Sequence, residues 1–353
     1  MTRFMKAAVL KGVGDVKVEE VPIPRLGPRE VLVKVKVTTI CPTDVRKYLG
    51  HSKFKGRIIL GHEFSGVVEE VGREVSNVSV GERVTALPFI FCGHCKYCRL
   101  GLHNLCVNLS GLGGAAELGI KLDGSFAQYV KVPSDNVYRL PKKLSFEEAS
   151  LVEPLAASLN GLMKADLKPG DVVLILGAGP MGLLQTTLAK FLGASRVIVS
   201  DLMDERLKYA EKFGADVTVN PLREELSDRV MEETGNYGAD ITVLSTGGSA
   251  MADLLPSSLK LTAKGGRIVV FAGTWPPKKA QIDLNLIHYG ERRIIGSFIY
   301  TREVFSRALN IAGSSGIDLR ELITHKFKLE GVEEAFRIVI RREGLKVALI
   351  PNP

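Results

Sequence analysis

Val31, Val33, Val35 and Val37 alternate with Lys34 and Lys36, the two-residue period of a strand with one face in a core. The alternation predicts a strand from Val31 to Ile40, and shorter runs predict others over Val16 to Val21, Ser65 to Val71 and Gly124 to Val132. Gly27-Pro28 and Gly81-Glu82 punctuate these runs, so residues 1 to about 150 read as β-rich. Ser145-Phe146-Glu147-Glu148 is a capping box and predicts a helix running toward Leu162. Beyond it the pattern changes. Apolar strands at Val172 to Leu176, Val197 to Ser200, Ile241 to Leu244 and Arg267 to Phe271 alternate with helices at Pro180 to Leu192 and Asp204 to Phe213. That alternation is the α/β signature of a parallel sheet with helices on its faces. The tail reads as a helix over Val332 to Ile340 and a strand over Val347 to Ile350.

Length and composition narrow the class. At 353 residues the chain is long enough for two domains, and with 45% hydrophobic residues it has ample apolar side chains to offset chain entropy. The most apolar stretch, Val172 to Leu184, is interrupted by Gly177, Gly179, Pro180 and Gly182, and no run approaches the roughly 18 residues that span a bilayer. Met1-Thr2-Arg3-Phe4-Met5-Lys6 has no apolar h-region, so the expectation is a soluble cytoplasmic protein without a membrane partner. The 47 basic and 39 acidic residues leave a net charge of +8. Basic residues are interleaved with acids, as in Arg29-Glu30, Glu82-Arg83 and Glu205-Arg206. No basic run carries the aromatics of a nucleic-acid surface, so none is expected as a partner.

Cysteine placement is more specific. Cys92-Gly93-His94-Cys95-Lys96-Tyr97-Cys98 is followed after seven residues by Cys106. Four thiolates on one loop can enclose a tetrahedral Zn²⁺ and leave no coordination position open, which makes a structural site. An iron–sulfur cluster is the rival, since C-x2-C-x2-C also opens ferredoxin motifs; the long last spacing and the absence of proline after Cys106 count against it. His94 and His103 then read as bystanders. The fifth cysteine, Cys41, follows the predicted strand in Cys41-Pro42-Thr43-Asp44, and Gly61-His62-Glu63 lies some twenty residues on. A thiolate, an imidazole and a carboxylate make a three-ligand zinc set with a fourth position free for substrate. Each of these residues alone reads as structural. They gain weight from the second domain.

There, Gly177-Ala178-Gly179-Pro180-Met181-Gly182 fits G-x-G-x-x-G after an apolar strand and at the start of a helix. Gly177 permits the tight turn, Gly179 admits pyrophosphate to the backbone, and Gly182 brings helix and strand together. Pro180 and Met181 open the helix, whose N-terminal N–H groups face the phosphates. Nineteen positions beyond Gly182 sits Asp201, a carboxylate for the ribose hydroxyls that repels a 2′-phosphate, so the expected cofactor is NAD⁺ rather than NADP⁺. Arg206, farther on, is a further candidate for contact with the dinucleotide.

With these motifs in this order, and with Gly124-Ser125-Phe126-Ala127-Gln128-Tyr129 between them, the chain resembles the zinc-dependent medium-chain alcohol dehydrogenases over essentially its whole length. Glu153-Pro154-Leu155-Ala156 and Glu63 are similar to the sorbitol (polyol) and threonine dehydrogenase branch. The resemblance implies a GroES-like catalytic domain from residues 1–155 and 295–353, a structural zinc loop at 88–110, and a Rossmann NAD-binding domain at 156–294. It implies two zinc ions per chain and a homotetramer or homodimer. Cys41, His62 and Glu63 would hold the catalytic zinc, Glu153 would be a direct or water-mediated ligand, and Thr43 would contact the substrate hydroxyl. The implied reaction moves a hydride from a secondary alcohol or polyol to NAD⁺. L-Threonine, butanediol and a phosphorylated sugar alcohol are alternative substrates, and a zinc-bearing nucleic-acid-binding protein is the alternative from another class.

Two departures bear on the substrate. The family often has a histidine, the outer end of a proton relay, where this chain has Arg46; sorbitol dehydrogenases tend to have an arginine where this chain has Ile299, within Phe298-Ile299-Tyr300. Zinc takes the pKa of bound water from about 15.7 to about 7, and a like effect on an alcohol is worth ~12 kcal/mol of ionisation. Zn²⁺ with Cys41 and Glu63 sums to zero charge, and Glu153 would make the centre anionic, so Glu153 is expected to leave when substrate binds. Arg46, Lys47, Lys53, Lys55 and Arg57 crowd the segment after Cys41; a solvated loop is the plainer reading, and phosphate recognition the sharper one.

Overall fold

In the computed structural model, which describes residues 3–52, 54, 56–113, 122–314 and 316–353, Gly14 at φ 71° turns β1 (Phe4–Gly12) back antiparallel onto β2 (Asp15–Pro22). The alternating valines form β3 (Glu30–Thr39), and Cys41 then caps α1 (Pro42–Tyr48). There follow β4 (Ile58–Ile59), β5 (Glu63–Val71), β6 (Arg83–Ala86) and β7 (Phe89–Ile90). The cysteine loop carries the one-turn α2 (Lys96–Arg99) and leads to β8 (Ser110–Gly111), β9 (Tyr129–Pro133) and β10 (Val137–Arg139).

Two local expectations change. The segment 124–128 is a loop rather than the start of a strand, because Gly124, Ser125 and Phe126 donate their N–H groups to Ile59, Gly61 and Leu60. The capping-box helix breaks at Leu151 into α3 (Phe146–Ser150) and α4 (Val152–Lys164).

The alternating half gives β11 (Val172–Leu176), α5 (Pro180–Phe191), β12 (Arg196–Ser200), α6 (Asp204–Lys212) and β13 (Val217–Val219). It continues through α7 (Leu226–Glu233), β14 (Ala239–Leu244), α8 (Ala250–Leu261), β15 (Thr262–Val270), α9 (Leu284–His288) and β16 (Arg293–Gly296). All six strands are parallel in the order β13-β12-β11-β14-β15-β16. This is the doubly wound order, with its switch point beside β11. The tail returns as α10 (Arg302–Ala312), β17 (Ile323–Lys328), α11 (Val332–Arg341) and β18 (Lys346–Ile350).

The chain divides into two compact units, Met1–Glu153 with Tyr300–Pro353, and Pro154–Ile299. In the first, β10-β6-β5-β3-β18-β17 form one sheet, with β9 also paired to β3, and β2-β1-β4 form another. Val31, Val33 and Val35 pack with Phe64, Val68 and Val84 on one side. On the other, Phe336 of α11 packs with Leu10, Ile40 and Phe126 and stacks on Tyr48 at 4.6 Å between ring centroids. Burying a ring of that size contributes roughly 2–3 kcal/mol, and it fixes α1, whose first residue follows Cys41. Among the described residues no helix is long and apolar enough to cross a membrane.

Candidate metal centres and dinucleotide turn

Cys41 sits where β3 ends, in extended conformation, with Pro42 opening α1. Asp44, fully buried, organises the surroundings: Oδ2 accepts the Cys41 N–H at 2.9 Å, and Oδ1 accepts the Gly61 N–H at 3.2 Å and lies 3.5 Å from His62 Nδ1. A carboxylate behind an imidazole orients a metal-binding histidine and raises its basicity. Gly61 adopts φ 94°, and a Cβ there would strike the Phe126 ring at 2.3 Å. Gly124 packs so closely on the same loop that its own Cβ would lie 2.1 Å from the Gly61 carbonyl. β5 then starts at Glu63, which is in register with Thr39 of β3. Donor atoms of Cys41, His62 and Glu63 come within 4.8 Å of one another.

Glu153 is not in that set among the described residues. Its Oε1 accepts a hydrogen bond from the fully buried Tyr300 hydroxyl at 2.7 Å. Glu63 is engaged as well: Lys346 Nζ reaches its two oxygens at 2.6 and 2.5 Å, and Thr39 Oγ1 donates to it. Lys346 corrects the charge count made from sequence. A lysine, absent from that count, pairs with Glu63, so a Zn²⁺ with Cys41, Glu63 and Lys346 carries a net charge of +1, and Glu153 brings it to zero.

Burial, with Glu63 adding to it, pushes the Cys41 thiol up. Burial alone would lower the His62 pKa, but Asp44 and Cys41 hold it well above the ordinary range. Burial foremost, reinforced by Glu63 and opposed by His62, raises Glu153 to about 7. Burial would also lower Lys346, but Glu63 and Cys41 keep it charged. A divalent cation inverts the shift of the thiol, and sulfur, imidazole and carboxylate together suit zinc.

The other four cysteines also converge, with their sulfurs within 4.8 Å of one another and neither His94 nor His103 among the group. Backbone N–H groups support them. Cys95 caps α2 and accepts from Cys98 N at 3.5 Å, while Cys106 accepts from Cys92 N at 3.3 Å and Asn108 N at 3.4 Å. The N–H groups of Cys98 and Val107 lower Cys95 to about 6, whereas burial, with Cys95 adding to it, drives Cys98 up to about 12. Four sulfurs so gathered fit a closed tetrahedral zinc site.

In the second unit, Gly177 turns at φ 116°, and a Cβ on Gly182 would lie 1.8 Å from the Gly177 carbonyl. Gly179 caps α5, and a Cβ there would meet only Arg206 Nη1, at 3.8 Å. That space suits a pyrophosphate approaching the N–H groups that open the helix. Asp201 Oδ2 accepts from Ala178 N at 2.8 Å and Oδ1 from Met203 N at 3.0 Å, and Arg206 Nη1 stands 4.0 Å from Oδ2.

Known proteins resemble this chain. Residues 27–142 match the alcohol dehydrogenase GroES-like domain and residues 180–314 the zinc-binding dehydrogenase family. Sorbitol dehydrogenase of Bacillus subtilis (strain 168) is 33% identical over 99% of this chain and 98% of its own length. L-Threonine 3-dehydrogenase of Caldanaerobacter subterraneus subsp. tengcongensis is 36% identical over 99% of both. The chain belongs to the zinc-dependent medium-chain alcohol dehydrogenases. Among solved structures, a Sinorhizobium meliloti 1021 protein bound to NADP superposes with a TM-score of 0.92 at 33% identity, covering 99% of this chain and 100% of that one. Zinc and a nicotinamide dinucleotide are thus the cofactors of this dehydrogenase, and the first unit is its GroES-like domain.

Sequence reasoning missed Asp44, Tyr300 and Lys346 as parts of the centre. Asp44 had a signal, its place three residues after Cys41. Ile299 occupies φ 38°, a left-handed conformation that costs a β-branched residue about 1–3 kcal/mol, immediately before the tyrosine that holds Glu153. Lys47, one of the crowded basic residues, is buried and donates to Ser52 at 2.9 Å. Arg46 and Arg57 are exposed, and Lys53 and Lys55 lie outside the described residues.

Replacing Cys98 with Ser removes a buried zinc-site sulfur, so that variant should retain one zinc per chain and melt roughly 10 °C lower; metal analysis with calorimetry checks it. The raised Glu153 pKa means that the folded, metal-free enzyme holds a proton which the unfolded chain releases near 4.5. The resulting stability is fully present below about pH 4.5 and is lost as pH rises through about 7. Relative to Glu153→Gln, the metal-free wild type should lose up to about 3 kcal/mol across that interval, measured by denaturant unfolding at a series of pH values.

Proposed function

We propose that this dehydrogenase oxidises a secondary alcohol or polyol, with Cys41, His62 and Glu63 holding the catalytic zinc and Cys92, Cys95, Cys98 and Cys106 the structural one. The observation that carries this reading is the convergence of a thiol, an imidazole and a carboxylate at the end of β3. When bound, zinc supplies a Lewis acid that acidifies an alcohol, and the dinucleotide supplies the hydride acceptor. The chain's own residues do the rest. Thr43, in the first turn of α1 and two residues past Cys41, takes the hydroxyl proton and passes it outward. Glu153, steadied by Tyr300, stands by as the second carboxylate, either as a ligand or through water. Gly177, Gly179, Pro180, Met181 and Gly182 cradle the pyrophosphate, and Asp201 and Arg206 face the adenosine ribose.

Asp201 favours NAD⁺ over NADP⁺, since a 2′-phosphate would meet its carboxylate. The family resemblance and the named relatives support a substrate with a polar group beside the reacting carbinol. Ile299, in place of an arginine, argues against strict sorbitol-type recognition. A phosphorylated sugar alcohol rests on Arg46 and Arg57, since Lys47 is spent on Ser52. Four thiols gathered as one metal set, rather than paired in disulfides, support a reducing, cytoplasmic setting.

The test is NADH or NADPH formation with free polyols, their phosphates, secondary alcohols, butanediol and threonine. Oxidation of an unphosphorylated alcohol with NAD⁺ and two zinc ions per chain are expected; no activity on any alcohol would defeat the reading. Thr43→Val should keep both zinc ions and lower kcat by about 100-fold with a smaller change in KM.

We also infer a homodimer as the smallest assembly. β16 ends the six-stranded sheet with one side of its backbone unpaired, and the neighbouring segments expose Leu284, Tyr289 and Phe298. An open edge beside apolar side chains is what a second copy covers by sheet extension. Sedimentation should give at least twice the mass of the chain, and Ile295→Pro should reduce it to one.

A further inference from the structure

Resting on that reading of the zinc centre, the next question is what Lys346 does there. It is 2% exposed, at the start of β18, and its partner Glu63 is 1% exposed. Two charges taken so far out of water are a poor device for stability, because desolvation offsets most of their attraction. The chain nevertheless places both oxygens of Glu63 against one ammonium group, adds the Thr39 hydroxyl on Oε2, and rests the same ammonium 3.4 Å from the Ile40 carbonyl. Thr39 and Ile40 come immediately before Cys41. The clamp is therefore built into the backbone that presents the cysteine.

A carboxylate has about four lone-pair directions, so Glu63 can touch a metal while keeping these partners. It does so with its charge already shared. We propose that Lys346 is a positioning residue of the catalytic centre, holding Glu63 as a weak and releasable zinc ligand and keeping the centre from becoming anionic. With the lysine, Zn²⁺, Cys41 and Glu63 carry one net positive charge, which Glu153 can cancel. Without it the same groups are neutral, and Glu153 would make them negative. The more positive centre pulls harder on the proton of an alcohol. A releasable Glu63 also leaves room for that alcohol without displacing Cys41 or His62.

Lys346→Met tests this on the full-length zinc enzyme, with readouts that do not depend on turnover. Freed from its clamp, Glu63 should bind the metal continuously. Loss of catalytic zinc to a chelator should slow by roughly tenfold, and the absorption of the cobalt(II)-substituted enzyme should weaken as coordination increases. The alcohol-dependent kcat should fall by about tenfold, while KM for the dinucleotide is unchanged. Lys346→Arg, which keeps the charge, should restore all three. Thr39→Val, which removes one donor to Glu63 and leaves the lysine, should shift zinc release in the same direction by a smaller factor. It serves as the deciding measurement should the methionine variant fail to fold.

Unchanged zinc release and an unchanged cobalt spectrum, in Lys346→Met or, failing that, in Thr39→Val, would overturn the proposal and leave Lys346 as a brace between strands. A wild-type enzyme carrying only the structural zinc would instead defeat the reading of Cys41, His62 and Glu63 as the catalytic centre. The two failures are therefore distinguishable by metal content alone.

Discussion

Hydrogen bonding between β18 and β3 carries consequences beyond its short register, Ala348 opposite Thr39 and Leu349 opposite Thr38. It joins the last strand of the chain to the one that delivers Cys41, and so brings Lys346 to Glu63. α11, next to β18 in sequence, lays Phe336 on Tyr48 of α1. The cluster of Cys41, His62 and Glu63 thus draws on segments far apart in the chain. Within residues 1–153 Asp44 holds Cys41 and Thr39 holds Glu63, but the ammonium that offsets the Glu63 charge arrives with β18.

Around that junction the fold concentrates charge where a protein interior normally excludes it. Asp44, Glu63, Glu153, His62 and Lys346 are all under 9% exposed. Each has a specific partner: Asp44 accepts two backbone N–H groups, Glu63 pairs with Lys346, and Glu153 accepts from Tyr300. Burial and the nearby Glu63 push the thiol of Cys41 toward its protonated form, and a divalent cation beside it would reverse that shift. The four-cysteine loop supports its donors differently. It uses N–H groups instead of a lysine to support its sulfurs, and Cys95 caps the one-turn α2 by accepting the Cys98 N–H.

What was legible in the sequence was what repeats locally. The glycines of the dinucleotide turn, the spacing of four cysteines and the alternation of β3 are short-range patterns, and each maps to one element. What escaped was contact between distant positions. Lys346 and Glu63 are 283 residues apart and Tyr300 and Glu153 are 147 apart, and no local periodicity marks a lone lysine or tyrosine as part of a centre. The loop at 124–128 escaped for a related reason: its alternation resembles a strand, but the N–H groups of 124–126 are claimed by residues 59–61 and that of Gln128 by Lys6. The helix break at Leu151 followed a capping box that was read correctly at its start, where Ser145 and Glu148 bond each other's backbone.

The dinucleotide turn shows how binding and folding share atoms. Both oxygens of Asp201 hold N–H groups, of Ala178 inside the glycine turn and of Met203, which precedes α6. The carboxylate therefore shapes the turn itself. Exchanging it for a small neutral residue would remove the repulsion toward a 2′-phosphate and, in the same step, leave two turn N–H groups without their acceptor. Ala178 directly precedes Gly179, where a Cβ would meet nothing but Arg206. Replacement of Asp201 therefore has a structural consequence, the loss of two backbone hydrogen bonds, apart from any effect on the cofactor.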